Sequence, residues 1–320
     1  MSRALDEIER RIAALREQGR DRELEPLLRR AIRLACREYG EVHPAHATLL
    51  NDLGGLYRTT GRYPESVACF VRARDILAAT VGADTPGYAT CLNNLAGLYR
   101  LTGQHAGSEQ LFLEASAIYA RTLGERDFLY ASNLNNLALL YQDMGRHDEA
   151  IRLQEQAMEI VRSISGECTA TYATSLCNLA ATCMAKGDLA AAEPLLDRAL
   201  AILRATTTAD DVRYVAALSA MASLHCRRAR YAEAAALYGQ VLETCAQRWG
   251  TDHPAYASAL ASLGVVHAAS GRRAEAERCC REALAIRRRV LGEAHPSTQD
   301  AQAALAALRA TTVPDAPAAR

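Results

Sequence analysis

Apolar residues recur along this chain at alternating steps of three and four, the spacing that gathers them on one face of a helix. Leu5, Ile8, Ile12 and Leu15 give the first such stripe, which ends at Gly19. Leu24, Leu27, Leu28, Ile32 and Ala35 give the second, closing before Gly40. From there the pattern copies itself. Gly19, Gly61, Gly103, Gly145, Gly187 and Gly271 stand on a comb of 42 residues with Ala229 in its one gap. Gly40, Gly82, Gly124, Gly166, Gly250 and Gly292 form a second comb that misses only at Thr208. Glycine takes the left-handed conformation that ends a helix tightly, so the two combs punctuate a series of helix pairs. A fixed period of this size means stacked supersecondary units, each burying its apolar face against the next.

The expected fold class is all-α: about seven antiparallel helix pairs and a C-terminal capping helix, in a single solenoid over 1–310. Residues 1–40 form an N-terminal capping pair, and six full repeats follow at about 43–81, 85–123, 127–165, 169–207, 211–249 and 253–291. In each repeat helix A opens near His43-Pro44, Thr85-Pro86, Asp127, Thr169, Asp211 or His253-Pro254, where proline at the first helical position costs no hydrogen bond. Helix B then runs to the second comb. Pro26 and Pro194 fall at matching places in two B helices and predict a small local distortion. Both combs falter around 204–211, an irregular joint in which Asp210 or Asp211 caps the next helix. His295-Pro296 opens the capping helix, 295–310, with Ala304, Leu305 and Leu308; residues 311–320, with Pro314 and Pro317, read as a disordered tail.

Composition narrows the function. Basic and acidic residues balance at 37 each, so no global field draws nucleic acid or an anionic membrane. No apolar run approaches the ~20 residues of a membrane span, and Asp6, Glu7 and Glu9 near the start are unlike a secretory signal. The expectation is a soluble, cytoplasmic protein. Lys186 is the only lysine, which removes most lysine chemistry. Ten cysteines lie scattered, mostly at small-residue positions of the helices, as small core hydrophobes suited to a reducing compartment.

The recurrent pattern Leu-Asn-Asn-Leu-Ala and Leu-Tyr, then glycine, an acidic residue before alanine (Glu149-Ala150, Glu233-Ala234, Glu275-Ala276) and Leu291-Gly292 with His295-Pro296 resembles the tetratricopeptide repeat of the kinesin light chain type. Bacterial proteins of many roles carry such repeats. The resemblance covers about 20–310 and implies a right-handed superhelix with helix A lining its concave face. On that basis the groove is lined by Thr48, Asn51, Gly55 and Arg58, then Thr90, Asn93, Gly97 and Arg100, then Ser132, Asn135, Leu139 and Gln142. Thr174, Cys177, Ala181 and Met184 follow in the fourth repeat. A carboxamide offers both a donor and an acceptor, so asparagines one repeat apart suit the backbone of an extended peptide. Arg58 and Arg100 favour an acidic side chain or a carboxylate on that peptide. The second asparagines, Asn94, Asn136 and Asn178, are expected to bond helix to helix, and Tyr57, Tyr99 and Tyr141 to pack between helices A and B. Tyr88, Tyr130, Tyr172, Tyr214 and Tyr256 are expected to pack between repeats. The later repeats depart from the pattern: Cys177-Asn178, Ser219-Ala220 and Ala261-Ser262 replace the asparagine pair, while Cys183, His225 and His267 replace the tyrosine.

That last column has ligand types that suit zinc, but it lacks a short-spaced pair, and histidine in place of tyrosine explains it without metal. No cofactor is expected. Sequence signatures of a zinc hydrolase, a serine hydrolase, a phosphate loop and a dinucleotide site are all missing. The expected role is a non-catalytic scaffold that holds an extended peptide of a partner protein, with no nucleic acid or membrane partner. Alternatives are a peptide-responsive regulatory subunit of a separate enzyme, and an enzyme whose site lies in the groove near Cys177, Cys183, His225 and Cys226. Self-association through an exposed end of the stack stays open.

Overall fold

The computed structural model describes residues 3–17, 23–209 and 211–310. Gly19, Asp210 and the expected tail at 311–320 lie outside them. Fifteen α-helices and no strand make up the described residues. The chain divides into two compact units, Met1–Ile164 and Ser165–Arg320.

In the first unit α1 (Arg3–Glu17) and α2 (Leu24–Tyr39) form the N-terminal pair. Three full pairs follow: α3 (Pro44–Thr59) with α4 (Tyr63–Thr80), α5 (Pro86–Leu101) with α6 (His105–Thr122), and α7 (Phe128–Asp143) with α8 (His147–Ser165). In the second unit α9 (Ala170–Lys186) pairs with α10 (Leu189–Thr206), α11 (Val212–Arg227) with α12 (Tyr231–Trp249), and α13 (Pro254–Ala269) with α14 (Arg273–Leu291). The last helix, α15 (Pro296–Ala310), packs on α14. α10 runs unbroken through Pro194.

The helices start where the sequence pattern puts them. Thr85, Asp127, Thr169 and Asp211 cap their helices by accepting a backbone N–H, as the short oxygen-bearing residues generally do. His43 and His253 do the same with Nδ1, each held by stacking on Tyr39 or Trp249. Asp211 resolves the irregular joint: its carboxylate takes the Arg213 N–H at 2.8 Å, and the Arg213 side chain holds its pKa down to about 2.

The A-to-B turns share one geometry. The N–H of Arg62, Gln104 and Arg146 returns to the carbonyl of Tyr57, Tyr99 and Tyr141 at 2.7–2.8 Å. The preceding residue must then be left-handed, and Gly61, Gly103 and Gly145 have φ of 73 to 76°. The fifth repeat closes the same turn, Arg230 to His225, with Ala229 at φ 58°.

In the second pair a small residue on helix A admits a large one from helix B. Gly54 lies under Phe70, and a Cβ there would come within 2.8 Å of the ring. Phe70 is fully buried, among Leu95, Leu98 and Leu111. Ser66 and Ser108 reinforce the approach by donating to the carbonyls of Gly54 and Ala96 at 2.7 and 2.8 Å. Tyr57 and Tyr141 are buried, as expected of packing residues, and their hydroxyls donate to Glu25 and Glu109. Arg62 and Arg146 lie over those rings at 4.1 and 3.8 Å and bond the same glutamates. Hydrogen bonds from Arg146 and Tyr141 hold the Glu109 carboxyl below its ordinary pKa.

Two positions break the packing rules. Ala229 bears a side chain where every described counterpart on its comb is glycine, and the left-handed region costs an L-residue about 1–2 kcal/mol. Ala229→Gly is expected to raise the unfolding free energy by roughly 0.5–1 kcal/mol, after the entropy gained by the unfolded chain, as read from a urea melt. Gln154 occupies the position of Phe70 and Phe112, is 1% exposed, and has neither amide atom bonded among the described residues. Gln154→Leu removes two desolvated polar atoms and is expected to stabilise by about 1–2 kcal/mol; an unchanged midpoint would mean that the amide is satisfied in solution.

Candidate functional site

Thr48, Asn51, Gly55 and Arg58 are spaced three, four and three along α3, so they share one face. The apolar stripe of that helix, Leu49, Leu53 and Leu56, is buried on the other side. The same division holds on α5 and α7. Since α3 packs on α5 and α5 on α7, the three faces lie side by side in the first unit. This face carries Thr48, Asn51 and Arg58; Thr90, Asn93, Gly97 and Arg100; and Ser132, Asn135, Leu139 and Gln142. Thr48 and Ser132 are exposed and the others half-buried.

The asparagines do more than line it. Asn94 donates its amide nitrogen to Asn51 Oδ1 at 2.9 Å, and Asn136 donates to Asn93 Oδ1 at 3.0 Å. The second asparagine of each pair thus bonds helix to helix, and its acceptor is the first asparagine of the preceding repeat. The first asparagine is therefore both structural and surface-facing. Its oxygen is used, while the nitrogens of Asn51 and Asn93 bond to no described residue and remain open to solvent. Asn135 is oriented alike, with Oδ1 buried and without a described partner.

Arginine behaves differently at its two positions. Arg100 is paired with Asp143 at 2.6 Å. Arg58 has no ion-pair or hydrogen-bond partner among the described residues. Its guanidinium lies over Gly97, with Nη1 3.4 Å from where a Cβ would stand. Burial, and after it the neighbouring charge of Arg100, push the Arg58 pKa below its ordinary value. Arg58 forms one wall of an open depression with Asn51, Asp52, Gly55, Thr59, Leu24, Leu56 and Asn94. Gly55 leaves that depression clear, since a Cβ there would meet nothing within 4 Å.

Sequence reasoning missed Asp143, and the signal that would have found it is the offset. Both asparagine bonds join residues 43 apart, and Arg100 with Asp143 repeats that offset. Adjacent A helices therefore meet at one repeat plus one residue. For Arg58 that rule points to Leu101, an exposed apolar side chain that cannot pair with it.

The threonines contribute less than their position suggests. Thr48 and Thr90 donate their hydroxyls to the carbonyls of Pro44 and Pro86, and Thr90 also meets the Tyr119 hydroxyl at 2.8 Å. In the second unit Thr174 bonds the Ala170 carbonyl in the same way. Cys177 is half-buried there, and burial pushes its thiol pKa up to about 11, which keeps it a neutral packing group. Met184 is buried.

Cys183 is also buried, and the Nδ1 atoms of His225 and His267 are buried without a described partner. Burial, then Arg272, lowers the His267 pKa. Among the described residues no three His, Cys, Asp or Glu side chains gather closely enough to hold a metal ion, and no helix is long and apolar enough to cross a membrane.

Comparison with known proteins agrees with this architecture. No curated protein sequence matches the chain. Among solved structures it is similar to the nearly identical TPR-like repeats assigned to a kinesin light chain of Podosopora anserina, at 25% identity over 64% of this chain and 97% of that one, with a TM-score of 0.51. It is also similar in fold to BtubC (BKLC) from P. vanneervenii, 23% identical over 73% and 92% of the two chains, TM-score 0.56. The apo form of RapI matches at 13% identity over 90% and 98%, TM-score 0.63. The tetratricopeptide repeat profiles match residues 7–79, 51–121, 129–205, 215–255 and 257–297. That coverage takes in most of the chain, which belongs to the tetratricopeptide repeat family.

Proposed function

We propose that this chain is a protein-interaction scaffold which holds an extended peptide segment of a partner against the α3, α5 and α7 face of its first unit. Tetratricopeptide repeats serve as interaction scaffolds, which supports the general role. The observation that carries the particular site is the row of outward amide nitrogens on Asn51, Asn93 and Asn135, beside the half-buried and unpaired guanidinium of Arg58. A half-buried charge without a partner is costly to keep, so a ligand that completes its hydrogen bonds gains more than one meeting a solvated surface arginine. Amide donors at regular intervals suit main-chain carbonyls, which recur in every peptide whatever its side chains. The partner is a protein or peptide with an acidic group.

Gly55 offers a test, because its Cβ direction is open and a large side chain there fills the depression. Peptides selected from a display library on the full chain are expected to bind Gly55→Trp about tenfold more weakly or worse, with its unfolding midpoint preserved. Selected peptides that bind both proteins equally would place the interaction elsewhere.

A further inference from the structure

We infer that the cleft between α14 and α15 is a second docking site, and that it takes an amphipathic helix of a partner protein with Asp and Glu flanking its apolar stripe. Pro296 stands one period after Pro254, so α15 is an A helix, and no described helix follows it. Ala306 stands one period after Gly264. Gly264 is buried under Cys280 and the Ala276 carbonyl of its helix B, whereas Ala306 is exposed.

The core at this end is one helix short. Leu242 of α12 lies in a cluster with Ala257 and Leu260 of α13 and with Ala283 and Ile286 of α14, the helix B of the following repeat. One period later, Leu284 shares its cluster, among the described residues, with Cys280 of its own helix and Ala301 and Leu305 of α15. The open cleft runs along that edge: Leu284 and Leu305 line it, together with Arg281, Arg288, Arg289 and Arg309. A helix laid there takes the place that helix B takes in the other repeats.

Charge identifies the occupant. The chain is balanced overall, but α14 carries six arginines against three glutamates, and no acidic residue lines the cleft. The carboxylates that meet the four arginines come from outside it and number three: Arg281 and Arg309 share Glu277, Arg288 meets Glu293, and Arg289 meets Asp252. Arg281 approaches Glu277 only to 3.6 Å. Exposed pairs of this kind hold each other weakly, so acidic side chains arriving on the apolar side gain arginine partners. Leu284 and Leu305 call for apolar side chains as well, which an oligonucleotide lacks. The chain's own residues 311–320 do not fit, since they hold one acid, Asp315, between Pro314 and Pro317.

The probe is a display library of helix-forming peptides as long as α14, with a fixed leucine and alanine stripe and all other positions free, selected on the full chain. Ala285 is exposed and lines the cleft, so Ala285→Trp fills it with the fold kept, as a melting curve checks. Should that variant melt early, Ala306→Glu obstructs the same place from α15. Peptides that these changes weaken are expected to be rich in Asp and Glu and to bind less tightly as salt is raised. Arg281→Glu with Arg288→Glu should cost them about tenfold or more in affinity. Exchanging their Glu for Gln should cost affinity to the wild type and little to that double variant. Gly55→Trp should leave their binding unchanged, which separates this site from the α3, α5 and α7 face.

Neutral or basic peptides at the site that Ala285→Trp blocks, or no peptide sensitive to either blocking variant, would overturn the inference. A dimer in sedimentation that Ala285→Trp dissolves would also overturn it, since the cleft would then belong to a second copy. Tight binding of a single-stranded oligonucleotide, lost in the same variant, would do so too.

Discussion

The structure depends on how closely helix B approaches helix A within each pair. A glycine or alanine stands at the crossing in every full repeat: Gly54, Ala96, Ala138, Ala180, Ala222 and Gly264. The matching position of helix B holds Phe70, Phe112, Gln154, Leu196, Tyr238 and Cys280, and Phe112 and Tyr238 share a core cluster with Ala96 and Ala222. The match is steric, since even one methyl at Gly54 would press on the Phe70 ring, and at Gly264 it would meet Cys280 Sγ at 3.0 Å and a backbone oxygen at 3.3 Å. Close packing of this kind makes interiors intolerant of added volume. It also brings the Ser66 and Ser108 hydroxyls onto the facing backbone, so that the crossing is fixed by a hydrogen bond as well as by shape.

With the crossing fixed, helix A keeps a half-buried face opposite its buried apolar stripe. Polar residues there can be spent on joining repeats or on meeting a ligand. The asparagine pairs join repeats and still turn an amide outward, and that explains their order. The second residue of one pair reaches back to the first residue of the preceding pair, which holds neighbouring A helices in register and fixes which end of the acceptor amide turns outward. The glutamate clusters act from the other side. Glu25 and Glu109 tie helix B of one pair to the tyrosine and turn arginine of the next. In the second unit Glu193 binds Arg228 and Arg230 at the equivalent turn.

The fold was legible because period and conformation are properties of a single strand of sequence. The glycine combs, the caps and the apolar stripes each name a local structure without reference to a partner helix, and even the gap at Ala229 kept the left-handed turn. The chemistry of the face was legible by half. Placing Asn51, Asn93 and Arg58 on one side of helix A needed only the helical repeat. Knowing that Asn51 Oδ1 is occupied, or that Asp143 neutralises Arg100, needs the stagger between adjacent A helices, which no single repeat contains. The recurrence of Glu25, Glu109 and Glu193 with Arg62, Arg146 and Arg230 was likewise in view, but at twice the period, where a search for one repeat does not look.

The same stagger shows why the second unit presents a different surface. Its A helices lack the asparagine pair, and what replaces it cannot pass a hydrogen bond from repeat to repeat: Cys177 is a weak donor, while Ser219 turns its hydroxyl back to the Val215 carbonyl. Registration there falls to other groups, such as Arg227 on the Met184 carbonyl, while the Tyr238 hydroxyl on the Ser219 carbonyl joins the two helices of one repeat. These contacts consume main-chain acceptors and leave no matching row of outward donors. Where the first unit shows Gly55 and Gly97, the second has Ala181, Ser223 and a strongly exposed Val265. Departure from the repeat pattern is thus a change in what the face can bind at little cost to the fold, because the small residue at the A-to-B crossing persists throughout.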